Sequence, residues 1–362
     1  MTKLIDDLPS EELFDRSKLF KFIHFELGNK CNLACPMCPR VDLLKKNYID
    51  NKYDITPENF KKIIDPILYN CKHFYFSGNY SDPVMNEHLF DIINYSFTNP
   101  KISVQIGTNG SLRNTKYWSA LGKKFKDRED ETGNISTLLF AIDGLEDTNH
   151  IYRVNSKWNK IIDNVKSFVD AGGVADWKYV IFGHNEHQVE EANELSKELG
   201  FRSFITVVSS RFVDDESNVF IDELNNGAKK SDKNATVTRS TGKYDVNNYI
   251  SKPGQIKCDA KVKNGLFITD RGLITPCCWL GNDLGYSNEA FGIHPDDKGM
   301  KLLMDMYPNW KTELNAIDNN ILDVMEHPFW DTLQLLWDIK QPKMCDRQCG
   351  RMLDDFKDVT RH

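Results

Sequence analysis

Nine cysteines are spread unevenly along this 362-residue chain. Three stand together in Cys31-Asn-Leu-Ala-Cys35-Pro-Met-Cys38, Cys71 stands alone, and Cys258, Cys277, Cys278, Cys345 and Cys349 lie in the last third. Thiolates are soft ligands that suit zinc or iron–sulfur clusters, and three of them do not complete a four-ligand structural site. Two completions are open. A zinc site needs a fourth protein ligand, for which His24 and Cys71 are the nearest candidates; an iron–sulfur cluster held by three thiolates leaves one iron open to a small molecule. The second group makes one four-thiolate site if the chain folds back. Cys258 and Cys277 bracket an expected hairpin, and Cys345-Asp-Arg-Gln-Cys349 follows an expected helix around Phe329 to Ile339. Zinc and an iron–sulfur cluster both accept that set, and Cys278 is interchangeable with Cys277 on sequence grounds. Cys71 reads as a small buried hydrophobe.

These thiols need a frame. Between about residue 20 and about residue 210, short runs of β-branched and aromatic residues alternate with helical stretches, the pattern of βα units around a parallel sheet. The expected strands are Phe20–Leu27, His73–Phe76, Ile102–Ile106, Thr137–Ile142, Trp177–Phe182 and Phe204–Val208. Thr56 caps a helix that starts at Pro57 and runs through Ile63, Ile64 and Ile67. Two more helices, Asn155–Ala171 and Glu186–Leu199, stop at Gly172-Gly173 and at Gly200. Six parallel strands with right-handed crossovers form either an incomplete barrel or an open doubly wound sheet. In either arrangement the first three cysteines follow strand one, at the carboxyl edge where (β/α) proteins collect their chemistry. Residues 1–19 read as an N-terminal extension, and the polar, aperiodic residues 212–254 as a linker or surface excursion. Residues 255–362 form a second unit, whose clearest signal is a hairpin, Leu266–Ile268 and Leu273–Thr275 around a turn that ends in Gly272.

Composition narrows the partners. Lys+Arg of 46 against Asp+Glu of 53 gives a net charge of −7, the opposite of a phosphate-tracking protein, so nucleic acid is not expected. Acidic residues occupy the first twenty positions where a leader would carry positive charge and an apolar run, and no stretch is long enough to span a bilayer. A cytoplasmic protein without membrane attachment is expected, and in that compartment nine cysteines are not a disulfide framework.

Cys-x3-Cys-x2-Cys immediately after the first strand of a (β/α) run resembles the radical S-adenosylmethionine (SAM) superfamily. Further elements follow in order. Ser77-Gly78-Asn79-Tyr80-Ser81-Asp82-Pro83 after strand two is similar to the family's Gly-Gly-Glu-Pro element, with Asp82-Pro83 for Glu-Pro. Thr108-Asn109-Gly110 after strand three is similar to its Thr-Asn-Gly turn. Asp143-Gly144, then Tyr152-Arg153, are similar to the Asp-Gly and Tyr-Arg pair of related enzymes. Met37 stands where the family usually has an aromatic residue, and Ala141 where it often has Ser. The resemblance implies a partial (β/α)6 TIM-like barrel, with a four-iron four-sulfur cluster on Cys31, Cys35 and Cys38. It also implies SAM contacts from Met37, Gly78, Asn79, Asp82, Thr108, Asn109, Asp143 and Arg153, the last near the SAM carboxylate.

Cys258-x13-Gly272-x4-Cys277 resembles the opening of the SPASM domain, and a single later pair resembles its shortened form, the twitch domain, here a small α+β unit. Five cysteines in that region are too few for two auxiliary clusters, so the resemblance implies one, a second four-iron four-sulfur cluster on Cys258, Cys277, Cys345 and Cys349. The implied activity is reductive cleavage of SAM to a 5′-deoxyadenosyl radical that takes a hydrogen atom from substrate. An auxiliary cluster favours a net oxidation, a dehydrogenation or bond formation, on a small polar alcohol, a sugar-like molecule or a peptide. Electrons would come from a flavodoxin or ferredoxin. Asp143, His184, Asn185 and His187, near the ends of strands four and five, are candidates to touch substrate, while Tyr80 and Trp279 read as packing residues. The other class is a non-catalytic iron–sulfur or zinc protein acting as a redox sensor or scaffold.

Overall fold

Alternation within the strands sets the architecture. In a computed structural model that describes residues 13–14, 20–209, 237–245, 256–286 and 297–350, the first six strands are β1 (Phe22–Phe25), β2 (His73–Phe76), β3 (Ser103–Thr108), β4 (Thr137–Ala141), β5 (Val174–Ile181) and β6 (Ser203–Val208). Each pairs in parallel with the next. Phe74, Phe76, Val104, Ile106, Leu138, Phe140, Trp177 and Tyr179 are buried in the main core. The residues between them, Tyr75, Ser77, Gly107, Leu139, Ala141 and Lys178, face a cavity instead. A parallel sheet covered on both faces reads as continuous apolar runs; here one face packs under helices and the other is partly polar, as the period of two along a strand allows.

The helices in chain order are α1 (Pro39–Lys45), α2 (Pro57–Ile64), α3 (Leu89–Ser96), α4 (Thr115–Thr132), α5 (Asn149–Tyr152), α6 (Trp158–Asp170) and α7 (Val189–Glu198); all but α1 and α5 bury side chains in the main core on the apolar face. Thr56 caps α2, its hydroxyl accepting the Asn59 N–H at 3.3 Å. Phe60 of α2 then meets Phe25, Phe74 and Phe76 at ring separations of 5.1, 6.1 and 6.0 Å. Each such buried ring contributes about 2–3 kcal/mol of transfer free energy. The result is a mainly parallel α/β sheet with flanking helices, the incomplete barrel rather than the doubly wound alternative.

The expected hairpin forms, as β7 (Gly265–Ile268) and β8 (Ile274–Thr275), antiparallel, with Gly272 left-handed at φ 82° in the turn. Its first strand does more than make a hairpin: β7 pairs in parallel with β1, Phe25 opposite Ile268, so among the described residues one sheet of eight strands runs β6-β5-β4-β3-β2-β1-β7-β8. Around it lie α8 (Asp259–Lys263), α9 (Cys278–Leu284), α10 (Lys298–Met306), α11 (Trp310–Glu313), α12 (Ile321–Met325), α13 (Phe329–Ile339) and α14 (Lys343–Cys345). The expected extension, apart from residues 13–14, and the expected linker, apart from residues 237–245, lie outside the described residues.

Candidate active site

The loop that follows β1 is shaped by its own sequence. Cys38 N–H donates to the Cys35 carbonyl at 3.2 Å, and Met37 adopts φ 62°. Proline cannot take a positive φ, so Cys35-Pro36-Met37-Cys38 is a type II turn with Pro36 second and Met37 in the left-handed third position. Cys38 then precedes α1, whose first residue is Pro39. Arg40, buried in the first turn of α1, ties the loop from beneath. Its guanidinium donates to the carbonyls of Asn29, Leu33 and Cys31 at 3.1–3.3 Å, and to the Asn51 side chain. Asn51 also takes the Cys31 N–H at 2.9 Å. All three thiols line one cavity of about 330 Å³ at the carboxyl ends of the strands. Burial, reinforced by Asp82, pushes the Cys31 thiol up to about 12, and burial pushes Cys35 up to about 11 against the opposing charge of Arg153. Such thiols ionise when a metal takes the place of the proton.

Across the cavity Asp82 joins two turns. Its carboxylate accepts from Val84 N–H at 3.1 Å, Thr108 Oγ1 at 3.0 and 3.1 Å, Asn109 N–H at 2.9 Å and Asn109 Nδ2 at 2.6 Å. Burial raises its pKa despite these donors. Asn109 Nδ2 also reaches Asn32 Oδ1 at 2.9 Å, inside the cysteine loop. Gly78 is required by close approach: a Cβ there would stand 2.3 Å from the Ser81 carbonyl oxygen. On a third side Arg153 Nε donates to Asp143 Oδ2 at 2.6 Å, and its Nη1 lies 4.0 Å from the Cys35 sulfur. Burial opposes the charged form of Arg153, but Asp143 and Cys35 outweigh it and hold the guanidinium protonated.

Cys31, Cys35, Cys38, Gly78, Asn79, Asp82, Thr108, Asn109 and Arg153 therefore line a single cavity. Met37 does not; it is buried beside Leu33, Tyr152 and Phe182. Asp143 stands behind Arg153, with its other oxygen accepting the Val180 N–H at 2.7 Å. Neither alternative zinc ligand lines the cavity. His24 Nε2 bonds the Ser77 carbonyl at 2.8 Å, with burial pulling its pKa down to about 4, and the Cys71 thiol donates to the Ile67 carbonyl at 3.1 Å. His184, Asn185 and His187 also lie off the cavity wall; Asn185 is spent on the Asp143 and Val180 carbonyls at 2.9 and 3.0 Å. Four wall residues carry little or no sequence signal: Arg40, Lys178, Trp279 and Asn282. For Lys178 the alternation along β5 was the available clue, since it falls on the face opposite Trp177 and Tyr179.

The second group of thiols converges separately. Cys258, Cys277, Cys345 and Cys349 line one cavity with Leu333 and Trp337. Burial, then the neighbouring thiols, hold Cys277 and Cys345 well above the ordinary thiol range, and burial pushes Cys258 up to about 12. Cys278 points elsewhere: the charges it feels are those of Lys178 and Glu26 in the barrel interior. Among the described residues no three His, Cys, Asp or Glu side chains stand closely enough to close on a single metal ion. Both thiol sets fit a multi-iron cluster in donor chemistry, each thiolate meeting its own iron. The room differs, because the four-thiol cavity holds only about 20 Å³, the space of one water.

Residues 25–207 match the family model of the Radical SAM superfamily. No curated protein matches the sequence. Among solved structures, SuiB of Streptococcus suis bound to S-adenosylmethionine is 14% identical with a TM-score of 0.53, over 87% of this chain and 67% of that one. The same protein bound to its precursor peptide SuiA gives 14% and 0.52 over 91% and 68%. Histidine-tagged anSMEcpe with bound AdoMet gives 14% and 0.51 over 93% and 90%. At such identities these likenesses establish the fold.

Proposed function

The chain belongs to the radical SAM superfamily, and from that premise we propose that it is an enzyme that cleaves SAM at the barrel mouth and abstracts a hydrogen atom from a substrate presented there. The observation that carries this reading is the convergence of Cys31, Cys35 and Cys38 with Asp82, Asn109 and Arg153 on one cavity. When bound to the three thiolates, a four-iron four-sulfur cluster with one open iron supplies the electron that splits SAM into methionine and the 5′-deoxyadenosyl radical.

The protein's part is to hold and to exclude. Arg153 offers its guanidinium to the SAM carboxylate, and Asp143 fixes its orientation. Asp82 holds Thr108 and Asn109 as a rigid wall, with every one of its strong lone pairs already occupied, so its contribution to SAM is the shape of that turn. Leu139, Ala141 and Val180 give the cavity apolar walls, which exclude water and leave substrate orientation to decide which C–H bond the radical meets.

A cavity of about 330 Å³ is the size of one drug-sized ligand. With SAM inside, the substrate enters as a projecting group rather than as a whole molecule. This favours a peptide side chain over a free sugar-like alcohol, and SuiB, which shares the fold, has been seen with a precursor peptide. We assign Cys258, Cys277, Cys345 and Cys349, which line one cavity, to one auxiliary cluster of a twitch-like unit; held by these four thiolates, such a cluster would supply a one-electron acceptor for the substrate radical, with the accompanying proton released to solvent, so that the net reaction would be an oxidation. A small external electron carrier of the flavodoxin or ferredoxin type would reduce the first cluster.

The test is anaerobic reconstitution with iron and sulfide, followed by dithionite and SAM. Wild type is expected to release 5′-deoxyadenosine and Cys35→Ala none. Absence of 5′-deoxyadenosine from wild type, together with a Cys35→Ala variant indistinguishable from it, would leave the non-catalytic metal protein as the better description.

A further inference from the structure

Helix α9 belongs to both cavities. Cys277, which precedes its first residue, and Leu280 line the four-thiol cavity; Asn282 lines the cavity at the barrel mouth; Trp279 lines both. The same helix holds the loop that runs from Gly78 to Asp82. Asn79 Nδ2 donates to the Cys278 carbonyl at 3.0 Å. The Tyr80 hydroxyl donates to the Asn282 carbonyl at 3.2 Å and contacts the Asn282 side-chain oxygen. The Tyr80 ring meets Tyr286, two residues beyond the helix, edge-on at 5.3 Å. From the opposite side Glu26 Oε1 accepts the Tyr80 N–H at 2.6 Å, so the loop is clamped between the end of β1 and α9. Asp82 closes that loop and carries the Thr108–Asn109 turn. A shift of α9 therefore reaches the wall of the SAM cavity through two hydrogen-bonded steps.

At the start of α9, Leu280 is buried in the main core and the Cys278 carbonyl is tied to Asn79. The Thr275 hydroxyl donates to the Cys277 carbonyl at 3.1 Å, but Cys277 makes no side-chain cap to the helix, and its thiol stands in a cavity that must widen to admit a metal group. We propose that α9 is a positioning element that couples the two sites: occupation of the four thiols sets how firmly SAM is held at the barrel mouth, with Asn79, Tyr80 and Asn282 as the link. The proposal rests on the reading that SAM binds beside Cys31, Cys35 and Cys38. It gives Asn79 a positioning role in place of the direct SAM contact expected from the sequence. Coupling between sites is reciprocal, so SAM strengthens retention of metal by the four thiols by the same factor.

The experiment is isothermal titration of SAM into anaerobically reconstituted full-length protein, as wild type, Tyr80→Phe, Cys345→Ser and the double variant. Cys345 is chosen because α9 does not carry it. Each single change is expected to weaken SAM binding about tenfold, within the usual range for coupled sites, and the double variant is expected to be no weaker than the weaker single, since both break one chain of contacts. Multiplying effects in the double variant would overturn the link, as would a Cys345→Ser protein that binds SAM as tightly as wild type. Should Cys345→Ser not fold, Cys349→Ser, also outside α9, takes its place in the same set: a SAM dissociation constant equal to that of wild type overturns the proposal. Wild type that assembles its clusters and yet binds no SAM would remove the underlying reading as well, an outcome distinct from intact binding that none of the variants alters.

Discussion

Replacement of Asp82 by Asn tests whether one carboxylate organises the wall of the SAM cavity. One oxygen of Asp82 accepts the Val84 N–H, and the other accepts both donors of Asn109. The Thr108 hydroxyl reaches both oxygens and can rotate to either. An amide in place of the carboxylate must turn its NH2 toward one of these sets. The better orientation sacrifices only the Val84 bond, and a hydrogen bond to a charged acceptor contributes about 1.5–3 kcal/mol. Part of that loss is offset because Asn carries no buried charge, and burial already raises the Asp82 pKa. The net cost to the cluster-free protein is therefore about 2 kcal/mol for Asp82→Asn. For Asp82→Ala it is larger, about 3–9 kcal/mol, because three buried N–H groups lose their acceptor at about 1–3 kcal/mol each. Urea titration followed by tryptophan fluorescence reads both values. Asp82→Asn within about 0.5 kcal/mol of wild type, a change typical of an uninvolved surface site, or Asp82→Ala no worse than Asp82→Asn, would refute the reasoning.

Other perturbations give equally specific outcomes. Asp143→Ala leaves the half-buried Arg153 guanidinium without its partner and is expected to cost about 1.5–3 kcal/mol and to weaken SAM binding; equal stability in a urea titration contradicts the ion pair's assigned role. Arg40→Lys cannot reach the three loop carbonyls that the guanidinium fork ties together, so the first cluster should be lost faster to a chelator, as followed by its visible absorption, while unchanged loss rates would show that the loop holds without it. Asp270 sits beside Glu26 at the ends of β7 and β1, and burial raises its pKa to about 6. A carboxyl raised in the folded state contributes stability that is full below about pH 4 and lost as pH rises through about 6. The stability of Asp270→Asn relative to wild type should therefore improve between about pH 4 and about pH 7, and a difference independent of pH across that window contradicts the assignment. Reconstituted wild type should carry about eight irons if both thiol sets hold four-iron clusters; about four irons with one zinc would demote the second site to a structural role.

The frame was legible where side-chain pattern and backbone agree. His73–Phe76 stands as expected, Thr56 caps its helix, and Phe329–Ile339 is helical, because these signals are local: β-branched and aromatic runs, a hydroxyl before a proline, a 3.6-residue period. Val174–Asp176 was not legible as part of β5, since Gly172-Gly173 reads as a helix stop and gives no measure of where the next strand begins. The pairing of β7 with β1 escaped for a different reason. It joins segments from opposite ends of the chain, its only local signature is the hairpin that β7 also makes, and nothing in Gly265–Ile268 distinguishes a free hairpin from a strand added to an existing sheet. The site divides the same way. Cysteines announce themselves by spacing, whereas Arg40 acts through carbonyl oxygens that every residue possesses, and Trp279 matters only because α9 happens to separate two cavities. The choice between Cys277 and Cys278 shows the limit: adjacent thiols are equivalent in sequence, yet Cys277 lines the four-thiol cavity and Cys278 does not.

The central question is whether SAM meets a metal group on Cys31, Cys35 and Cys38. The measurement is electron paramagnetic resonance of dithionite-reduced Cys345→Ser protein, in which the second site is disabled, recorded with and without SAM. The account predicts one cluster signal whose shape and g values change on addition of SAM and which is absent when Cys35 is also replaced by Ala. A signal indifferent to saturating SAM, or one that survives the loss of Cys35, would contradict it.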